Sequence, residues 1–293
     1  MARSGSAVQK EEKKTVVIAI ANHKGGVGKT TTCINLADNL AQMGKLVCVV
    51  DMDPQANASQ HIGMSHPAEI NYTTAELLTN PELPLTYFVH DETRIDGVAL
   101  IYGSMALDNA DDALRMEPRP NEVLRDRLQP LLGKADYIII DCPPSLRLLT
   151  SNALAAATHL LIPVESGSPY GLYGLADLTK RVQQITRINP TLINLGALLI
   201  RHDDRQLVCQ NIEQKAMGLF GKLVPVKIGT TTKINQSSTV QTSLRMFDST
   251  NKVAKQYKEL AKYIDKETAA LLASTRSTGM ERGTRWDFKF STC

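Results

Sequence analysis

Six short apolar runs punctuate the chain: TVVIAIA (15–21), KLVCVVD (45–51), GVALIYG (97–103), DYIIID (136–141), THLLIPV (158–164) and INLGALLI (193–200). Short and rich in β-branched residues, they read as buried strands. Between them, residues 30–43, 121–132, 146–157 and 171–188 carry apolar positions at helical spacing. Strand and helix alternating in this way predict an α/β fold: a doubly wound, mostly parallel sheet with helices on both faces. Near the end of the chain Val253, Tyr257, Leu260, Ile264, Ala270 and Leu271 recur at near-helical intervals with lysines between them. That spacing predicts one long amphipathic helix closing the domain. The expected organisation is a single domain over 15–273, with flexible tails at 1–14 and 274–293. No helix-turn-helix module is expected ahead of the first strand, where the sequence has about 14 residues.

At 293 residues and 43% hydrophobic content, the chain can bury one sizeable core. The polar, charged start MARSGSAVQKEEKK does not resemble a secretory signal, and no apolar run approaches the roughly 18 to 20 residues of a membrane span. A cytoplasmic protein is expected. Cys33, Cys48, Cys142, Cys209 and Cys293 are scattered and never in C-x-x-C spacing, which argues against a disulfide framework and a zinc site. The six histidines show no metal-binding spacing either. Net charge is +3, but residues 201–293 carry 16 Lys/Arg against 9 Asp/Glu, while residues 1–200 carry 17 against 21. A basic C-terminal third can form a polyanion-binding face, although a solvated basic helix has the same composition.

Candidate chemistry begins at ANHKGGVGKTTT (21–32), between the first expected strand and the first expected helix. The strict phosphate-loop pattern G-x-x-x-x-G-K-[ST] needs glycine at position 23, where this chain has His23. The physical requirements are met nonetheless. Gly25, Gly26 and Gly28 let backbone N–H groups close around phosphate oxygens at a helix N-terminus. Lys29 can then neutralise the β and γ phosphates, and the Thr30 hydroxyl is placed to ligate Mg²⁺. A K-G-G-x-G-K-[ST] string arises by chance in a chain this long with a probability on the order of 10⁻⁵ to 10⁻⁴. VVDMDPQ ends the second strand with Asp51 and Asp53, and YIIIDCPP ends a later one with Asp141. Carboxylates at the C-terminal ends of parallel strands lie in the crevice where α/β sheets bind ligands, and there they can hold Mg²⁺ or orient water.

Together, KGGVGKTT, DMDPQANAS and IIIDCPPS resemble the ParA/MinD group of P-loop ATPases, most closely the ParA/Soj partition ATPases, over about residues 15–264. The resemblance implies an ATPase with ATP and Mg²⁺ as cofactors. Matched to the family's motif, Lys24 is the signature lysine that reaches the phosphates of the other subunit in an ATP-dependent homodimer. Two ammonium groups crowded on one triphosphate within a single subunit would repel, which agrees with that division of labour. The resemblance makes Lys24, Lys29 and Asp53 catalytic, with Asp53 orienting water. It makes Lys24, Gly25, Gly26, Val27, Gly28, Lys29, Thr30, Thr31 and Pro225 nucleotide-binding, and Thr30, Asp51 and Asp141 the metal set.

It further implies non-specific DNA binding by the dimer, nucleoid association, and a cargo-bound activating adaptor of ParB-like type that stimulates slow hydrolysis. Arg205 and Lys233 fall where the family has DNA-contacting basic residues, and Arg245, Lys252 and Lys255 extend the patch. The cargo implied is a plasmid, a chromosome origin or a large assembly; carboxysomes and chemoreceptor clusters are the alternatives within the same machinery. One departure stands out. Where the family has I-P-V-Q and then a Glu-containing segment, this chain reads IPVESGSPYGLYGL, one residue longer, with Ser168 or Pro169 at the place of that Glu. MinD ends in a membrane-targeting amphipathic helix. Here Trp286, Phe288 and Phe290 alternate at period two, which is not a helical stripe, so no membrane partner is expected, and a MinD-like membrane-associated ATPase stands as the further alternative.

Overall fold

Side chains of successive strand residues point to opposite faces, and in β1 (Val16–Ile20) both faces are apolar and buried. Val17 and Ala19 enter one core layer, and Val16, Ile18 and Ile20 enter the other. The same division holds in β2 (Val47–Asp51), β3 (Val98–Ile101), β4 (Tyr137–Asp141), β5 (His159–Glu165) and β6 (Ile193–Ile200). A strand buried on both faces needs helices on both sides. In this computed structural model, which describes residues 14–278 apart from 169 and 173, the sheet order is β3-β2-β4-β1-β5-β6 and every strand pairing is parallel. The doubly wound sheet expected from the alternation of elements is the one observed.

The helices are α1 (Lys29–Gln42), α2 (Asn57–Ile62), α3 (Thr74–Thr79), α4 (Leu107–Arg115), α5 (Val123–Leu128), α6 (Leu148–Ala156), α7 (Leu175–Ile185), α8 (Leu207–Phe220), α9 (Lys233–Thr239), α10 (Leu244–Phe247) and α11 (Lys252–Thr278). Helices α3 to α8 cover one face of the sheet, while α1, α2, α10 and α11 cover the other. Tyr257, Leu260 and Ile264 of α11 are buried in that second layer, as their spacing predicts. The helix continues to Thr278, beyond the boundary expected at 273. Residues 1–13 and 279–293 lie outside the described residues, and with them most of both expected tails and the Trp286, Phe288 and Phe290 trio. Cys33, Cys48, Cys142 and Cys209 are buried free thiols, used as small hydrophobes. Among the described residues no helix is long and apolar enough to cross a membrane.

Candidate nucleotide site

The loop between β1 and α1 is fixed from inside the fold. Asn22 is buried; its amide donates to the Pro163 carbonyl at 2.6 Å, and its Oδ1 accepts from the Lys24 N–H at 3.0 Å. Val27 anchors the loop's far side in the interior. Between these two anchors the chain must turn sharply, and Gly26 and Gly28 supply φ values of +74° and +81°, where a side chain would be strained. Gly28 caps α1 with no side-chain hydrogen bond, so the first-turn N–H groups face the loop's mouth without a capping oxygen. An anion satisfies such donors. Lys29 is buried, and its ammonium donates to the Lys24 carbonyl at 3.1 Å. Burial pushes its pKa down, against the pull of Asp141 and Asp53.

Sheet register brings the acidic groups to this mouth. Asp141 of β4 pairs with Ile20 of β1 on one side and with Asp51 of β2 on the other. Asp141 is fully buried; one oxygen accepts from the Thr30 hydroxyl at 2.7 Å, and the other has no hydrogen-bond partner. Burial, and then the nearby Asp51, push its pKa well up. A buried, half-satisfied carboxylate next to a hydroxyl is an oxygen donor set suited to a hard divalent cation.

Asp51, expected with the metal ligands, is engaged otherwise. Its Oδ2 accepts from the Ser59 N–H and hydroxyl at 2.9 and 2.7 Å, and its Oδ1 accepts from the Asp53 N–H at 3.1 Å. Burial raises its pKa to about 6 in spite of those bonds. Asp51 thus shapes the turn that carries Asp53. Asp53 is 7% exposed, its carboxylate accepts from the Gln55 N–H at 3.0 Å, and burial raises its pKa against the pull of Lys29.

Beside the loop lies a recess bounded by Gly28, Thr31, Ile200, Arg201, Asn235 and Tyr257. Its apolar wall and polar rim suit a base and sugar next to the phosphate cradle. Pro225, expected at the nucleotide, does not line it. Pro225 lies in a separate, more open depression with Asp204, Lys227, Lys252 and Lys255, because the 224–228 segment runs along the outer side of β6.

The expected DNA positions divide. Arg205 is exposed and paired with Asp203 at 2.8 Å. Lys233 begins α9, its ammonium 5.7 Å from the centre of the Phe247 ring. Lys252 and Lys255 are exposed on the first turns of α11. Arg245 belongs to a different structure: its guanidinium grips the buried Asp38 of α1 at 2.9 and 2.7 Å, with the Ser243 hydroxyl on the same carboxylate at 2.7 Å. A buried carboxylate requires such partners, so Arg245 ties α10 to α1 and does not extend an open patch.

The chain is similar to known proteins. A family model described as an AAA domain matches residues 15–194. The chain is 41% identical over 209 residues to the chromosome partitioning protein ParA of Myxococcus xanthus, covering 71% of this chain and 72% of that protein. It is 39% identical over 209 residues to the chromosome-partitioning ATPase Soj of Thermus thermophilus, covering 71% and 78%. The chain belongs to the ParA/Soj family of partition ATPases. Its fold is also close to that of a cobyrinic acid a,c-diamide synthase from Mycobacterium smegmatis solved with an ATP analog and magnesium. That match has a TM-score of 0.73 at 28% identity and covers 91% of this chain and 97% of that one. MinD from Pyrococcus horikoshii, complexed with Mg-ADP, matches with a TM-score of 0.70 at 25% identity, covering 87% and 98%. These are P-loop folds, as the sheet order and the loop between β1 and α1 require of this ParA/Soj member. Arg201 and Asn235 carry no sequence signal, while Asn22 is legible only as part of the 21–32 loop and Tyr257 only as a packing position of the last helix. Arg201, Asn235 and Tyr257 reach the recess through tertiary packing from distant parts of the chain, which no motif marks.

Proposed function

We propose that this ParA/Soj-family member binds ATP with Mg²⁺ in the 21–32 cradle, dimerises on the bound nucleotide, and in that state holds DNA without sequence preference while it segregates or positions a cargo. The observation that carries the reading is the meeting of Lys29, the Thr30 hydroxyl and the open oxygen of Asp141 at the mouth of α1. Backbone N–H groups of Gly25, Gly26, Val27, Gly28 and Thr31 bind phosphate oxygens, and Lys29 neutralises the β and γ groups. Thr30 and Asp141 hold the cation, which when bound neutralises the charge that develops on the transferred phosphoryl group. Asp53, held by the turn that Asp51 builds, orients the attacking water and takes up its proton; its raised pKa favours that uptake. Lys24 reaches the nucleotide of the other subunit.

Turnover is slow until a cargo-bound adaptor of ParB-like type engages the dimer. Nucleoid association follows from DNA binding by Arg205, Lys233, Lys252 and Lys255, supported by the +7 charge of residues 201–293. Light scattering with and without ATP, alongside nucleotide binding, tests the division between the two lysines. Lys29→Ala abolishes ATP binding, with an affinity loss of about 10²-fold or more, since a buried cation on the phosphates is removed. Lys24→Ala keeps monomeric binding within a few-fold and forms no dimer. A Lys24→Ala protein that dimerised as the wild type does would overturn the cross-subunit role.

A further inference from the structure

Glu165 ends β5 and opens the segment in which this chain departs from the I-P-V-Q pattern. Its carboxylate holds two cations at once: Oε2 accepts from the Lys24 ammonium at 2.7 Å and Oε1 from the Arg201 guanidinium at 2.6 Å. The Glu165 and Lys24 side chains are 14% and 24% exposed, so this pair is less screened than one on the open surface.

The frame around it is built. The Ser166 N–H donates to the Ile200 carbonyl at 2.9 Å, and the Ser166 hydroxyl lies 3.0 Å from His202 Nδ1, which fastens the end of β5 to the end of β6. Gly171 folds back so closely that a Cβ there would stand 1.8 Å from the Glu165 carbonyl oxygen. A Cβ on Gly174 would stand 3.0 Å from His23 Nδ1. His23, where the strict phosphate-loop motif has glycine, and the unusual segment after β5 therefore rest on each other.

We propose that Glu165 is a positioning residue that keeps Lys24 folded back on its own subunit and so sets the ATP concentration at which the dimer forms. The inference rests on the ATP-dimer reading above. A triphosphate across an interface competes with Glu165 for the Lys24 ammonium, so dimerisation draws Lys24 away from the 2.7 Å pair. Arg201 makes the break reversible. It stays on the second carboxylate oxygen, so Glu165 is not left as an unpaired, shielded charge when Lys24 departs. Arg201 also borders the recess beside Gly28 and Thr31, which places this switch within reach of a bound nucleotide.

The test replaces charge with an isosteric amide. Glu165→Gln lowers the ATP concentration at half-maximal dimerisation by about fivefold or more, the scale of one partly shielded ion pair, read by light scattering at fixed protein and salt. Glu165→Asp, which keeps the charge but is too short to span both cations, gives a smaller shift in the same direction. In nucleotide-free protein, acylation of Lys24 by an N-hydroxysuccinimide ester, followed by peptide mass spectrometry, speeds up severalfold in Glu165→Gln. A merely structural Glu165 would lower the melting temperature and leave Lys24 labelling unchanged. An unchanged or raised dimerisation midpoint for Glu165→Gln, with a wild type that dimerises, overturns the proposal alone. A wild type that never dimerises with ATP overturns the underlying dimer reading, and this proposal with it.

Discussion

At the C-terminal ends of β1, β2 and β4, three carboxylates and Lys29 are buried together, held by strand register and a loop with two left-handed glycines. In the 201–255 region the cations sit at or near the surface, and several are already matched to an acid close by in sequence or space, as Arg205 is to Asp203 and Lys227 to Asp204 and Glu213. The first region concentrates charge where desolvation is costly, so its groups have shifted pKa values and one carboxylate oxygen without a partner. In the second, charge stays in water, where a single pair is worth little and only the sum of contacts matters. Substitutions in the two regions should therefore fail differently: abruptly and one residue at a time in the first, gradually and in proportion to salt in the second.

The sharpest break is expected at Asp53. Asp53→Ala removes the carboxylate proposed above to orient water and accept its proton, and should slow hydrolysis by about 10²-fold or more. The phosphate cradle, built by Asn22, Gly26, Gly28 and Lys29, is untouched, so the variant should accumulate as an ATP-bound dimer. Phosphate release measured beside dimer content checks both halves. Turnover at the wild-type rate would reduce Asp53 to the end of a turn.

Arg245 blurs the comparison, because it lies in the basic third yet behaves as a buried-site residue. Asp38 is fully buried and accepts from Arg245 and Ser243. Removing the acid leaves a half-buried guanidinium without its carboxylate, so Asp38→Ala should destabilise the fold by about 2 to 4 kcal/mol in denaturant melts. Arg205→Ala, by contrast, should leave the melting curve in place, since that side chain is exposed. Equal effects of the two changes would erase the distinction between the regions.

What the sequence disclosed follows the same division. Strands buried on both faces announce themselves by β-branched runs, and all six expected runs contain the observed strands or match them within a residue. The loop at 21–32 is legible because glycines, a lysine and a threonine must be contiguous to cradle a phosphate. Helices α2, α3, α9 and α10 span seven residues or fewer, too short to display a period, and α4 and α8, of 9 and 14 residues, are not among the helical segments the spacing picks out either. Helix α3 is signalled instead by a capping box, with Thr73 and Glu76 bonded to each other's backbone and side chain. Asp51 looked like a ligand because strand-end aspartates look alike in sequence; its bonds to Ser59 come from a helix eight residues on. Arg245 departs from its expected place for a related reason, since charge does not say which neighbour, here Asp38, has already claimed a side chain.

The smallest expected effect sharpens the surface half of the comparison. Lys233 starts α9 near the rim of the recess beside Gly28 and Thr31, its ammonium 5.7 Å from the Phe247 ring and, among the described residues, with no acid paired to it. A cation over an aromatic face keeps most of its charge available to a phosphate approaching from solvent. If Lys233 contributes one phosphate contact per subunit, Lys233→Gln removes two from the ATP dimer. The slope of log affinity against log salt should then shallow by about 2, because each neutralised phosphate releases roughly 0.9 of a counterion. Affinity near 0.1 M salt should fall by about 10-fold, uniformly across DNA sequences, and ATP-dependent dimerisation should be unchanged. Mobility shift on two unrelated duplexes at four salt concentrations measures all of this at once. An unchanged slope would make Lys233 a solvated helix start, and a loss confined to one duplex would mean that this surface reads sequence.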